Sequence, residues 1–213
     1  MQYSYGNQAF VLKAWGQLDD AMALCKKQEV ICLELGNKDG LQTSYGNQAG
    51  ILRDWGQFDD AMALHKKQES ICLELNHKEN LQRSYGNQAL ILQDRGQFDD
   101  AMALHQKKEE ICLELGNKVS LQRSYINQAI ILRLQKKFSE ARILLKKAET
   151  ICHELGLRRD LGHCYWNWGL LARDQGDKTL AKQKLEAALA IFTGLKMPRE
   201  RNGAQADLDA LEK

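Results

Sequence analysis

Five asparagines recur at a fixed interval in this chain: Asn7, Asn47, Asn87, Asn127 and Asn167. An amide donates and accepts hydrogen bonds, which is chemistry for recognition rather than for bond making. Four residues ahead of them stand Tyr3, Thr43, Arg83, Arg123 and His163. Residues at i and i+4 share a helix face, so Arg83/Asn87 and Arg123/Asn127 form two basic-plus-amide pairs. Farther along the same face come Lys13, Arg53, Arg133 and Arg173, with Gln93 interrupting the series. Side chains able to catalyse are present but not grouped. His65 and His105 are one site in successive repeats, so their spacing follows from the repeat, and they read as hydrogen-bonded structural residues. Cys32, Cys72, Cys112 and Cys152 likewise repeat one position, and read as small, reduced core side chains. A metal would need ligands converging to about 2.0–2.3 Å of one ion, and no disulfide, metal site or cofactor is expected. The pairs at 19–20, 59–60 and 99–100 are Asp-Asp and suit helix starts, where acidic residues meet the positive end of the dipole.

The elements that must position these residues are set by the repeat. Ser-Tyr-Gly-Asn-Gln-Ala begins at Ser4, Ser44 and Ser84, returns with Ile126 in place of glycine, and survives in worn form from Cys164 to Gly169. The step is 40 residues without insertion, the mark of a repeat array. In residues 41–80, Tyr45, Ala49 and Leu52 share one face of a first helix predicted from about Leu41 to Trp55. Gly40, Asn80, Ser120 and Asp160 are expected to cap the first helices. Gly56 ends that helix, and Phe58, Ala61, Leu64, Ile71 and Leu75 make the stripe of the second. Gly36, Asn76, Gly116 and Gly156 stop the second helices in the left-handed conformation. Lys136 replaces the glycine between the helices of the fourth unit, so that turn is expected to continue helically or take another form. The pattern gives five hairpins, 1–40, 41–80, 81–120, 121–160 and 161–195, followed by a capping helix in 196–213 that starts near Pro198 and turns Ala204, Leu208 and Leu211 inward. Gln8, Gln48, Gln88 and Gln128, with Gln28, Gln68 and Lys108, either form a polar ladder between repeats or face solvent.

Tyr85, Ala89, Leu92, Gly96, Phe98 and Ala101, and the matching Tyr45, Ala49, Leu52, Gly56, Phe58 and Ala61, resemble the tetratricopeptide repeat. The period exceeds the usual 34 and looks like the long variant of kinesin light chains and spindle-orientation adaptors. The resemblance implies an all-α, right-handed α-solenoid of five helix-turn-helix repeats plus a C-terminal capping helix. It also implies that the asparagines face a concave groove and hold the backbone of an extended peptide. The Arg/Asn pairs resemble the carboxylate clamp of chaperone-binding members, although the first two units lack the basic residue. Ile126 and Trp166 replace Gly6, Gly46 and Gly86 on the groove side. The expected ligand is therefore an extended peptide with acidic groups near Arg83 and Arg123 and an apolar anchor near Ile126 and Trp166, with Arg133 farther along.

Composition narrows the partner. The formal net charge is +2, which gives no global drive toward nucleic acid or anionic membrane. No apolar run approaches the roughly 18–20 residues of a membrane span. Residues 1–4 lack the features of a signal peptide, and cytoplasmic placement is expected. With no catalytic constellation, the expectation is a non-enzymatic scaffold with a protein or peptide partner. The alternatives are a sensor or autoinhibitory segment of a larger signalling ATPase, or an engineered, consensus-like array without a dedicated ligand. Tyr3 opens the first repeat with no element before it, so Phe10 and Val11 are expected to be exposed, on an excised end of a longer array or on a self-associating face.

Overall fold

The structure is a computed structural model that describes residues 2–211, with side chains from Tyr5 onward. The side chains of Tyr3 and Ser4 lie outside the described ones. The described residues form eleven helices: α1 (Gln2–Ala14), α2 (Leu18–Glu34), α3 (Lys38–Asp54), α4 (Phe58–Glu74), α5 (Lys78–Asp94), α6 (Phe98–Glu114), α7 (Lys118–Leu134), α8 (Phe138–Glu154), α9 (Arg158–Asp174), α10 (Lys178–Gly194) and α11 (Pro198–Asp209). No described element is a strand. The class is all-α, hairpins of the α-solenoid kind with a final capping helix, as the repeat predicts.

The helices keep a shorter period than the sequence reading used. From α2 to α11 each begins 20 residues after the one before, at 18, 38, 58 and so on to 198. The left-handed residues keep the same step. Seven are glycines, with φ between 62° and 81°, and the others are Asn76 (53°), Lys136 (59°) and Lys196 (55°). Turns within and between hairpins are therefore built alike. After α1, the Gly16 N–H donates to Lys13 O and the Gln17 N–H to Leu12 O, the paired bonds that close a helix end. The Lys136 turn repeats this with Lys136 N–H to Arg133 O at 2.9 Å and Lys137 N–H to Leu132 O at 2.8 Å. This corrects the expectation that the turn departs from the pattern. The two bonds hold lysine in a conformation that costs a non-glycine residue about 1 kcal/mol. Lys136→Gly is accordingly expected to stabilise the chain by about 1 kcal/mol, read as a higher urea midpoint.

The first helices also start three residues earlier than predicted. The caps are Asn37, whose Oδ1 accepts the Gly40 N–H at 2.9 Å, and Asn117, whose Oδ1 accepts the Ser120 N–H at 3.0 Å. Gly40, Asn80, Ser120 and Asp160 fall inside the first turn instead. The capping helix follows the expectation, with Ala204 fully buried and Leu208 and Leu211 half-buried.

By its internal contacts the chain divides into Met1–Ile111 and Cys112–Lys213. In the N-terminal unit, α1 to α5 pack each on the next. Ala49, Ala61 and Ile91 share one fully buried cluster, as the small-on-small pairing of the helices requires. A second set of contacts is polar. Ser44 Oγ donates to Cys25 O at 2.7 Å and Ser84 Oγ to His65 O at 3.0 Å. Gln48 Nε2 reaches Glu29 at 2.6 Å, and Gln88 Nε2 reaches Glu69 at 2.8 Å. Gln28, Gln68 and Lys108 are buried as well. Gln48 and Gln88 thus link neighbouring repeats as rungs of the expected ladder, whereas Gln28 Oε1 is buried without a hydrogen-bond partner among the described residues and Gln8 is exposed. In the C-terminal unit α7 to α10 pack in the same order, and α11 covers α10. Ala188, Phe192 and Ala204 make that last core, with Trp166 against it. All six cysteines are buried thiols outside any disulfide.

Candidate functional site

In each unit the first helices of the hairpins open onto a cavity. The N-terminal one has a volume of about 260 Å³ and is lined by Asn47 and Asn87 above a floor containing Gly46, Gly50 and His65, with Lys13, Arg53 and Asp54 at its rim. The C-terminal one has about 350 Å³ and brings together Arg123, Ile126, Asn127, Arg159, His163 and Asn167, among others. Each cavity therefore collects two of the five repeated asparagines. Asn7 is exposed and lies with Val11 and Trp15 on another face of α1.

The asparagines differ in what they have left to offer. The side-chain amides of Asn47, Asn87 and Asn127 make no hydrogen bond with any described residue. Asn167 donates from Nδ2 to His163 O at 2.9 Å, which leaves its oxygen and one hydrogen. The cations differ more. Lys13 pairs with Asp54 at 3.2 Å, Arg53 with Asp94 at 2.8 Å, Arg133 with Asp174 at 2.5 Å and Arg173 with Asp207 at 3.0 Å. The first three partners lie 41 residues on, in the next first helix, and the last lies in the capping helix. The series expected as a line of positive charge is thus a run of ties between neighbouring hairpins, neutralised in place. Gln93 breaks the run, and the residue 41 after it is Leu134 rather than a carboxylate.

Arg123 is also tied. Its Nε donates to Asp160 Oδ1 at 2.8 Å and its Nη2 to Oδ2 at 3.3 Å. Burial works against the Asp160 charge, but the hydrogen bonds from Arg123 prevail and hold its carboxyl below the usual range. The same bond raises the Arg123 guanidinium. His163, beside them, is lowered by burial and then by the charge of Arg159, so at neutral pH it is an uncharged ring. Arg83 and Arg159 are exposed and carry no ion pair with any described residue. Arg159 escaped the sequence reading, although a signal was present: positions 39, 79, 119 and 159 read Asp, Glu, Val and Arg, a charge reversal at one repeat.

Two expectations of an apolar anchor need correction. Ile126 is only 6% exposed, so it walls its cavity rather than projecting into it. Trp166 faces α11: its Nε1 donates to Asp207 at 2.7 Å and its ring meets Phe192 edge-on, centroids 6.0 Å apart. The indole is occupied in holding the capping helix, a role invisible until that helix is placed.

His65 and His105 lie fully buried. His65 Nδ1 is 3.0 Å from Gln68 Oε1, and burial lowers its pKa to about 4, the Gln68 hydrogen bond opposing and Arg53 and Lys13 assisting. Burial lowers His105 to about 3, with Lys108 assisting. Among the described residues no three His, Cys, Asp or Glu side chains gather where they could hold a metal ion. No described helix is long and apolar enough to cross a membrane.

Comparison with known proteins agrees with the fold. The tetratricopeptide-repeat sequence profile matches residues 80–154. No curated protein sequence matches the chain. BtubC (BKLC) from P. vanneervenii superposes with a TM-score of 0.76 at 20% identity, covering 89% of this chain and 78% of that one. The nearly identical TPR-like repeats of a putative kinesin light chain from Podosopora anserina give 0.72 at 18% identity, covering 91% and 95%. A Rap protein solved in complex with competence and sporulation factor gives 0.71 at 14% identity, covering 96% of this chain and 61% of that one. At these identities the likeness is one of fold.

Proposed function

We propose that this chain, an array of tetratricopeptide-type repeats, is a non-enzymatic scaffold for protein–protein contacts that holds an extended, carboxylate-bearing peptide on the face of its first helices. The observation that carries the reading is the state of the amides. Asn47, Asn87 and Asn127 line the cavities with donors and acceptors uncommitted, while most charged neighbours are paired within the fold. An amide with both functions free matches a peptide group, which offers one of each. The preference for carboxylates rests on Arg83 and Arg159, the unpaired cations of this face, with Arg123 able to share its guanidinium between Asp160 and a ligand. The Rap complex supports the reading only as a case in which this fold is solved with a bound factor.

Screening an array of extended peptides against the whole chain tests the reading. Acidic peptides are expected to be selected, and Arg83→Glu/Arg123→Glu and Arg159→Glu should each weaken them more than about tenfold while leaving uncharged controls unaltered. Affinity unchanged in both variants would remove the carboxylate preference.

A further inference from the structure

We propose that the cavity over His65 seats a tyrosine side chain of the bound peptide, its phenolic hydroxyl donating to His65 Nε2. The proposal rests on the peptide reading above for the source of the tyrosine. The cavity belongs to one repeat. Gly46 and Gly50 stand one helical turn apart on α3, and only the second repeat has glycine at both places; the residues matching Gly50 are Phe10, Leu90, Ile130 and Leu170. Two bare positions leave a notch in the helix face, with Lys13 Nζ 2.7 Å from where a Cβ on Gly50 would stand. Ala9, Cys25 and Ile51, each at most 2% exposed, give it apolar walls. Its volume of about 260 Å³ far exceeds the ~30 Å³ share of one water.

The floor carries a polar atom whose chemistry is fixed. His65 is fully buried, and its Nε2 has no hydrogen-bond partner among the described residues. Which ring nitrogen holds the hydrogen follows from a chain of bonds. The Asp39 carboxylate can only accept, so the Gln42 atom 3.3 Å from it is the amide nitrogen. Gln42 Oε1 then accepts from Gln68 Nε2 at 3.4 Å and from the Cys72 thiol at 3.6 Å. Gln68 Oε1 is left to accept from His65 Nδ1 at 3.0 Å. The hydrogen is therefore on Nδ1, and the nitrogen left for the cavity offers a lone pair. Burial keeps the ring neutral, with a pKa of about 4. A carboxylate or carbonyl oxygen would set a second lone pair against the first. Arg53 and Lys13 act on the ring as positive charges, which disfavours an ammonium. An uncharged donor remains, and a hydroxyl on a flat apolar ring matches both the walls and the floor. Asn47 and Asn87 line the same cavity, so the amides hold the backbone of the residue whose side chain the cavity takes.

N-acetyl-tyrosinamide, titrated into the ¹⁵N-labelled whole chain, is the probe. Before titration the imidazole nitrogen spectrum of His65 is expected to show a protonated Nδ1 and an unprotonated Nε2. Saturable shift changes are then expected at Gly46, Gly50 and His65 Nε2, with N-acetyl-phenylalaninamide bound at least fivefold more weakly. Gly50→Leu, which installs the residue of the third repeat, should weaken the tyrosine compound at least tenfold. His65→Leu, which installs that of the fourth, should make the two compounds bind equally; circular dichroism checks the fold of both variants. Equal affinity for the two compounds in the parent chain would overturn the proposal, as would the absence of shifts at millimolar probe or a hydrogen found on Nε2. Any of these leaves the response of acidic peptides to Arg83→Glu/Arg123→Glu and Arg159→Glu in place, and loss of that response leaves the tyrosine preference in place, so the two readings fail separately.

Discussion

Acidification from pH 6.5 to 4.5 is expected to lower the unfolding free energy of the chain by about 5 kcal/mol through His65 and His105 alone. An unfolded histidine takes up a proton near pH 6.5. In the folded chain the same rings are fully buried, and their pKa values fall to about 4 and about 3. Below pH 6.5 the unfolded state therefore binds protons that the folded state refuses. Stability is complete above that point and declines as the pH falls, by about 1.4 kcal/mol per pH unit for each ring. The decline continues to about pH 4 for His65 and about pH 3 for His105. Nearby positive charge reinforces the effect, from Arg53 and Lys13 on His65 and from Lys108 on His105. The later repeats place Leu145 and Leu185 at this site. His65→Leu/His105→Leu should therefore keep nearly the same denaturant midpoint from pH 7 to pH 5, where the parent chain loses stability steeply. An equal loss in both would mean that the buried rings are not its source.

The second large effect concerns how a repeat fills the space between its two helices. Replacing Gly46 with isoleucine is expected to destabilise the chain by about 2 kcal/mol. A Cβ at Gly46 would lie 2.5 Å from Gln68 Nε2, and the neighbouring repeats oppose the same positions less tightly, at 3.1 Å between Gly6 and Gln28 and 3.2 Å between Gly86 and Lys108. The five repeats read Gly6/Cys25/Gln28, Gly46/His65/Gln68, Gly86/His105/Lys108, Ile126/Leu145/Ala148 and Trp166/Leu185/Ala188. Where the first helix is bare, the second carries a long polar side chain; where the first is bulky, the second carries alanine. Volume is kept while its source changes sides. Gly46→Ile with Gln68→Ala should recover at least half of the loss, and adding His65→Leu should recover most of it by reproducing the fourth repeat. Independent, additive losses on urea denaturation would show that the three positions do not share one space.

This exchange explains how far the sequence could be read. The hairpins were legible because Tyr45, Ala49, Ala61 and their counterparts repeat with a period that only stacked helices satisfy. The turns were legible at every glycine, yet Lys136 was misjudged, because two backbone bonds outweigh the preference of one residue. The helix starts were misplaced because Asn37 and Asn117 give way to His77 and Leu157 in the alternate repeats, which hides the cap. At the face of the first helices the asparagines were found by periodicity. Their surroundings were not, since Arg53 and Asp94 or Arg133 and Asp174 stand 41 residues apart and meet only when adjacent hairpins are stacked. Trp166 looked like a ligand anchor for the same reason: its partner Asp207 belongs to another helix.

The central claim is that the uncommitted amides hold a peptide backbone, and calorimetric titration of one selected acidic peptide into the chain tests it most directly. Asn87→Ala/Asn127→Ala should reduce the affinity at least tenfold, about 1.4 kcal/mol, with the enthalpy becoming less favourable and the denaturation midpoint unchanged. Full affinity in that variant would contradict the account.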